Sequence, residues 1–258
     1  MKGFIERLTK NVGDDIYRKS SAQKHVKFKS EIDLITRFDR SSQRQIVTAL
    51  RREFPGFGIL SEEGLCYKKD APIRWIIDPL DGTTNFVHGL PIWSITIALE
   101  IFGNVIVGIV YDPTRREMFS AIKENGAAIN GKYIRVSSVR SLDRALLVTG
   151  FPYDIRRSKK DNLNHFNQFA KKAQAVRRLG SAALDLCYTA CGRFDGYWEI
   201  KLSPWDQAAG SLILKEAGGR ITDFNNNKFD IYGDEVLATN GLIHKQMQKL
   251  LRYGQKKS

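Results

Sequence analysis

The sequence predicts an α+β protein of two lobes: residues 1–140 form an antiparallel sheet with flanking helices, and residues 141–258 form a mixed sheet whose strands alternate with helices. Three observations carry this. Between Trp93 and Ser120 three strand-like runs, Trp93–Leu99, Val105–Tyr111 and Glu117–Ser120, follow one another, joined only by Phe102-Gly103-Asn104 and by Asp112-Pro113. From Ala145 onward, runs of strand length alternate with stretches of helical period. Between the two patterns lies the polar stretch Ser137–Asp143, the natural lobe boundary.

Each element has its own signal. Phe4, Ile5, Leu8, Val12 and Ile16 recur at helical spacing over residues 4–18, and a lysine-rich stretch to Ser30 reads as a mobile loop or ribbon. After Ile32–Asp39 comes a helix with Ile46, Val47 and Leu50 inward, at whose start Asp39 reads most simply as a cap. Phe57–Leu60 is a short strand ending in Ser61-Glu62-Glu63-Gly64. Ala128–Tyr133 is a hairpin about an Asn-Gly turn. In the second lobe the expectations are a strand Ala145–Thr149, a helix continuing to about Lys172, a strand Ala175–Arg178, a helix Ser181–Cys191 and a strand Phe194–Ile200. The next helix is bounded by a Ser203 cap, Pro204 in its first turn, Asp206 near its positive end and a Gly218-Gly219 stop. A strand near Val236–Ala238 and a helix over about 243–251 finish the chain.

Composition narrows the function classes. At 42% hydrophobic over 258 residues the chain can bury a large core, so disorder is not expected. No apolar run reaches membrane-spanning length, and Glu6 and Arg7 stand where a signal peptide needs apolar residues, which points to a soluble, cytoplasmic protein. Three scattered cysteines, Cys66, Cys187 and Cys191, do not make a disulfide framework. The net charge of +13 attracts anions, yet the basic residues come as separated doublets such as Arg51-Arg52 and Lys171-Lys172, a pattern of solvated faces more than a nucleic-acid footprint.

Chemistry concentrates at Trp75–Asn85. Trp75-Ile76-Ile77 suits a strand buried on both faces, with Asp78 emerging at its end. Pro79 bars helix at Asp78, Gly82 permits a close backbone approach, and Thr83-Thr84-Asn85 reads as a helix start whose free amides would face an anion. An Asx-type turn closing an ordinary strand is the plainer reading of the same residues. Asp39, Glu62, Asp78, Asp81, Glu199 and Asp206 all fall at element ends. Were they to converge, their mutual repulsion would require a bound cation, and an all-oxygen set selects Mg²⁺ or Mn²⁺ over zinc. Hydrolysis of a phosphate monoester by metal-activated water fits such a set.

Competing motifs are weaker. Cys187 to Arg193 matches the C-x5-R spacing of cysteine phosphatases, but Leu184, Cys187 and Cys191 lie at helical spacing, and a core helix explains them. His25, His88, His165 and His244 are isolated, with no zinc spacing.

Residues 75–91, W-I-I-D-P-L-D-G-T-T-N-F-V-H-G-L-P, and residues 205–219, W-D-Q-A-A-G-S-L-I-L-K-E-A-G-G, resemble the two signatures of the inositol monophosphatase family, including its bacterial extragenic-suppressor members. G-S-A-A-L-D-L-C-Y (180–188) and G-R-F-D-G-Y-W-E (192–199) are similar to the family as well, so the resemblance runs from about Ile32 to the C-terminus. It implies a layered α/β/α/β/α sandwich of the sugar phosphatase type, a homodimer, and inhibition by lithium. It also implies roles. Glu62, Asp78 and the Leu80 carbonyl would hold a first Mg²⁺; Asp78, Asp81 and Asp206 a second; and Glu62 would help with a third, Mn²⁺ being able to substitute. Asp39 and Thr83, with Glu62 at the metal, would activate water. The Gly82 and Thr83 amides would cradle phosphate. Glu199, Asp206 and the turn Gly180-Ser181-Ala182 would contact substrate, and Lys27 or Lys29 would be the mobile-loop lysine. The implied substrate is inositol 1-phosphate, with fructose 1,6-bisphosphate or a nucleotide phosphate as alternatives. The bacterial members also resemble factors that join transcription complexes, so RNA or a nucleoprotein is a partner of a second kind.

Overall fold

The computed structural model describes residues 1–20, 27–28, 34–68 and 70–255. Helix α1 (Lys2–Lys19) buries Ile5, Val12 and Ile16, the face its spacing predicts. A short antiparallel ribbon, β1 (Lys27–Phe28) with β2 (Leu34–Ile35), leads into α2 (Arg37–Glu53). Lys29 and the side chain of Lys27 lie outside the described residues. The chain continues through β3 (Gly58–Ser61), β4 (Cys66–Tyr67), β5 (Ile73–Asp81), the short helix α3 (Thr83–His88), β6 (Ser94–Ile101), β7 (Asn104–Asp112), β8 (Glu117–Ile122), β9 (Ala127–Ile129) and β10 (Lys132–Tyr133). Asn130 and Gly131 both take left-handed φ between β9 and β10, the geometry an Asn-Gly hairpin turn demands.

Strands β3 to β10 form one sheet in the order β10-β9-β8-β7-β6-β5-β3-β4. It is antiparallel throughout except that β3 and β5 run parallel, a departure from the expected all-antiparallel lobe. The cause is β4, which folds back on the outer side of β3; the chain must then return to the start of β3 before entering β5. The carboxyl ends of β3 and β5 therefore share one end of the sheet. A second departure is that β5 does not stop at Asp78 but continues to Asp81, with a break in the ladder register between the two, where Pro79 has no N–H to donate.

The second half contributes β11 (Leu146–Thr149), α4 (Leu163–Ala170), β12 (Ala175–Arg177), α5 (Ala182–Ala190), β13 (Gly196–Ile200), α6 (Pro204–Glu216), β14 (Arg220–Thr222), β15 (Glu235–Thr239) and α7 (His244–Gln255). Its sheet has the order β12-β11-β13-β15-β14, parallel on the β12-β11-β13 side and antiparallel beyond, as a mixed sheet should be. The helix expected to reach Lys172 begins only at Leu163. The buried Asn162 takes a left-handed φ of 71°, donates to the Thr149 hydroxyl (3.0 Å) and the Gly150 carbonyl (2.7 Å), and accepts from Trp198 Nε1 (2.8 Å). Those bonds pin residues 150–162 as a loop at the end of β11.

Helices α5 and α6 lie between the two sheets. Ile76, Ala98, Val110 and Phe119 of the large sheet and Val148, Tyr197 and Ala238 of the small one join a single core with Leu184, Leu186, Leu212 and Ile213. Helices α1 and α2 cover the outer face of the large sheet through Ile5, Ile16, Ile46 and Leu50. Helices α4 and α7 cover the small sheet through Phe169, Met247 and Leu251. The result is the α/β/α/β/α layering. No helix among the described residues is long and apolar enough to cross a membrane.

Candidate metal and phosphate site

A cavity of about 220 Å³ opens where β3, β5 and β13 end and the first turns of α3 and α6 begin. Glu62, Asp78, Leu80, Asp81, Gly82, Thr83, Glu199 and Asp206 line it. One carboxylate oxygen from each of Asp78, Asp81 and Asp206 lies within 4.8 Å of the other two. Glu62 joins them in the cavity lining, its carboxylate near enough to raise the Asp78 pKa. The parallel pairing of β3 and β5 makes that contact, since the Glu62 amide bonds the Ile77 carbonyl at 3.2 Å.

Local structure aims each carboxylate. Asp78 Oδ1 accepts from the Leu80 amide (2.9 Å), so the Asx turn that the sequence allowed is present and orients the functional group as well. Asp81 is held through Oδ2 by Ser181 Oγ, the Ala183 amide (3.1 Å) and Ser94 Oγ (3.3 Å), which turns its other oxygen to the cavity. Asp206 is the third residue of α6 and accepts from the Ser203 amide at 2.7 Å. Burial, and then the neighbouring Glu62, Asp81 and Asp206, hold Asp78 well above the carboxylate range. Burial pushes Asp81 up to about 6 against the pull of its Ser181 and Ala183 donors. Asp206 is raised by burial and by Glu62 and Asp81. Carboxyls crowded this way keep protons unless a cation replaces them, and four oxygen-only side chains beside the Leu80 carbonyl suit a hard divalent ion.

Beside this cluster stands Thr83, whose hydroxyl lies 3.1 Å from Asp39 Oδ1 and 3.0 Å from the Leu80 carbonyl. Asp39 is fully buried at the third position of α2, where its Oδ2 accepts from Thr36. The cap reading of Asp39 is therefore correct, and the second oxygen remains for Thr83. Burial raises the Asp39 pKa against those Thr36 bonds. Gly82 caps α3 at a φ of 91°, and a Cβ there would sit 3.0 Å from the Ile92 carbonyl. Glycine alone takes this φ without strain, and the Ile92 and Gly180 carbonyls leave no ordinary room for a side chain.

Glu199 forms the opposite wall. Tyr197 donates to its Oε2 at 2.6 Å, and burial pushes its pKa up to about 7 despite that bond and the nearby Arg178. A Cβ on Gly150 would lie 2.0 Å from Glu199 Oε1, so the end of β11 must be bare for Glu199 to stand there. Gly180, Ser181 and Ala182 sit behind Asp81 rather than in the cavity wall, and Ser181 caps α5 by accepting from the Leu184 amide. Several residues of the site have no counterpart in the sequence reading: Ser94, Tyr197 and Ala183 as supports, and Phe151, Pro152, Tyr153, Lys201 and Trp205 as cavity wall. The loop residues could have been found from the rule that ligands sit outside the carboxyl ends of strands, since Phe151 is the second residue after β11.

The motifs set aside stay aside. Cys187 is buried with its thiol pKa pushed up by burial, the opposite of a nucleophile. His165 bonds the Leu251 carbonyl, His244 lies between Thr222 and Thr239, and His25 lies outside the described residues.

Residues 2–256 match the model of the inositol monophosphatase family. The inositol-1-monophosphatase of Synechocystis sp. is 44% identical over 220 residues, 85% of this chain and 77% of that protein. The Nus factor SuhB of Pseudomonas aeruginosa is 41% identical over 247 residues, 93% of this chain and 91% of its own. Among solved structures, the Thermotoga maritima IMPase superposes with a TM-score of 0.91 at 36% identity, over 99% of this chain and 98% of that one. Whole-length sequence match, layered fold and acidic cavity agree: this chain belongs to the inositol monophosphatase family of phosphatases.

Proposed function

We propose that the protein is a Mg²⁺-dependent phosphomonoesterase acting on inositol 1-phosphate or a related small polyol or sugar phosphate. The observation that carries this is the gathering of Glu62, Asp78, Asp81 and Asp206 in one cavity beside the Asp39–Thr83 pair and the amide end of α3. Asp78, Asp81 and Asp206, with Glu62 and the Leu80 carbonyl, would hold two or three Mg²⁺ ions, Mn²⁺ being an acceptable substitute. When bound, Mg²⁺ supplies Lewis-acid stabilisation of charge on the phosphoryl oxygens. Thr83 and Asp39 orient the attacking water and take its proton, Asp39 being a base whose raised pKa brings it toward neutrality. The Gly82 and Thr83 amides donate to the phosphoryl group. Water oxygen bonds to phosphorus as the ester P–O bond breaks, and the alcohol leaves with a proton. Glu199 accepts hydrogen bonds from substrate hydroxyls on the far wall. Fructose 1,6-bisphosphate and nucleotide phosphates are the alternative esters.

A turnover panel of inositol 1-phosphate, fructose 1,6-bisphosphate, a nucleoside 3′-phosphate and glycerol 2-phosphate, with and without Mg²⁺, tests the reading. Release from inositol 1-phosphate that depends on Mg²⁺ supports it, and no release from any ester overturns it. A homodimer, sensitivity to lithium and a cytoplasmic location belong to the same proposal, and sedimentation and Li⁺ titration test the first two. Relatives named Nus factor SuhB, together with the +13 net charge, support a second reading in which the protein joins an RNA or transcription complex. Were Asp78→Asn to abolish turnover and leave the cellular phenotype of the wild type intact, that second role would be the physiological one.

A further inference from the structure

Lys201 stands on the short link between Glu199 and Asp206, and its φ of 58° is a left-handed conformation unfavourable for a side chain of this kind. It is also the only basic residue in the cavity lining among the described residues. Its ammonium does not point to the carboxylates. It donates to Asp154 Oδ2 and to Ser158 Oγ, each at 2.7 Å, and so crosses to the loop of residues 150–162 that follows β11. The same loop supplies Phe151, Pro152 and Tyr153 to the cavity wall. Two weaker ties accompany the lysine: Lys160 reaches Asp234 at 3.4 Å, and the Arg178 guanidinium lies 5.4 Å from the Phe151 ring centre. The Lys201 side chain is 25% exposed and that of Asp154 51%, so the ion pair alone is weak, and the part-buried bond to the neutral Ser158 hydroxyl gives the contact its direction. A strained backbone that persists while its side chain is spent on a cavity-wall loop marks a functional constraint.

We propose that Lys201 is a positioning and specificity-determining residue: it latches the 150–162 loop so that Phe151–Tyr153 forms a fixed wall beside Glu199, and thereby sets which alcohol portion of the ester is accepted. The inference rests on the phosphatase reading for its kinetic half and on geometry alone for its structural half. Lys201→Gly removes the latch while relieving the backbone, since glycine takes this φ freely. The variant should melt no lower than wild type, raise KM for the preferred ester about tenfold with kcat changed less than about threefold, and flatten the preference between that ester and glycerol 2-phosphate. Asp154→Ala should do the same, the two changes together adding little, and Lys201→Arg should restore most of the wild-type preference. Hydrogen–deuterium exchange on the full chain supplies a readout free of turnover: amides of residues 151–158 should exchange faster in Lys201→Gly and Asp154→Ala, with β13 unchanged. Wild-type KM and preference in both variants overturns the specificity role, and unchanged loop exchange overturns the latch. A wild type inactive on every ester overturns the phosphatase reading instead and leaves the latch to be judged by exchange.

Discussion

Helices α2 and α6 open with the same local device and put it to different use. In each, an aspartate at the third position accepts from the backbone amide of the cap residue: Asp39 from Thr36 at 2.8 Å, Asp206 from Ser203 at 2.7 Å. Each thus has one oxygen committed to the helix and one to spare. The spare oxygen of Asp39 meets a neutral hydroxyl, Thr83, in a fully buried setting; the Asp206 carboxylate instead meets those of Asp78 and Asp81 at an open cavity. A cap and a functional group are therefore not competing explanations of one residue. In the proposed mechanism, what would separate a proton acceptor from a metal ligand is the element packed opposite the cap.

The largest expected effect is that of Asp206→Asn. The amide oxygen can still accept from Ser203, so helix content and cooperativity of melting should be retained, while turnover drops about a thousandfold, roughly 4 kcal/mol. Excess Mg²⁺ should restore part of the rate, because the lost charge is one that attracts the ion. Asp39→Asn should also keep its cap but lose about a hundredfold in turnover, with no shift in the Mg²⁺ concentration required. Equal Mg²⁺ dependence of the two variants would erase the distinction drawn between the two helices.

A third effect is on stability. In metal-free protein, Asp81 at about 6, Glu199 at about 7 and the raised Asp78 and Asp206 carry more protons when folded than when unfolded, where carboxyls titrate near 4. The folded state binds the excess between about pH 4 and pH 7, so the contribution of these groups to stability is lost as pH rises through that window. With chelator present, the Tm should be lower at pH 8 than at pH 5 by on the order of 5 °C, and Mg²⁺ should raise it more at pH 8, where it no longer competes with protons. Asp206→Asn should shrink that difference; Asp39→Asn should shrink it less, since Asp39 stands apart from the cluster. The smallest effects belong to the caps themselves. Thr36→Ala and Ser203→Ala should each cost about 1 kcal/mol, seen as a shift in chemical denaturation midpoint, with the loss greater for Thr36, whose hydroxyl also bonds Asp39.

Much of this site was legible before the fold was known, because its parts announce themselves over a few residues. Asp78-Pro79-Leu80-Asp81-Gly82-Thr83 contains its own turn, its own φ requirement and its own helix start. Ser203 to Asp206 contains its own cap. Alternation and helical period likewise placed most strands and helices, because side-chain burial repeats along each element. The errors fell where a single residue overruled the pattern: Asn162 cut short the expected helix by bonding Thr149 and Trp198, and the returning β4 made β3 and β5 parallel.

The residue types, the caps and the carboxylates at element ends were determined by the sequence alone, since each depends on neighbours within one or two turns of chain. Only the tertiary structure decided that Glu62 would meet Asp78, that Gly180-Ser181-Ala182 would support Asp81 from behind, and that Phe151–Tyr153 would join Glu199 in the cavity wall. Those contacts depend on which strands pair and on the α5–α6 layer shared by two sheets, and no local spacing encodes the distance between segments brought together by burial of a common core.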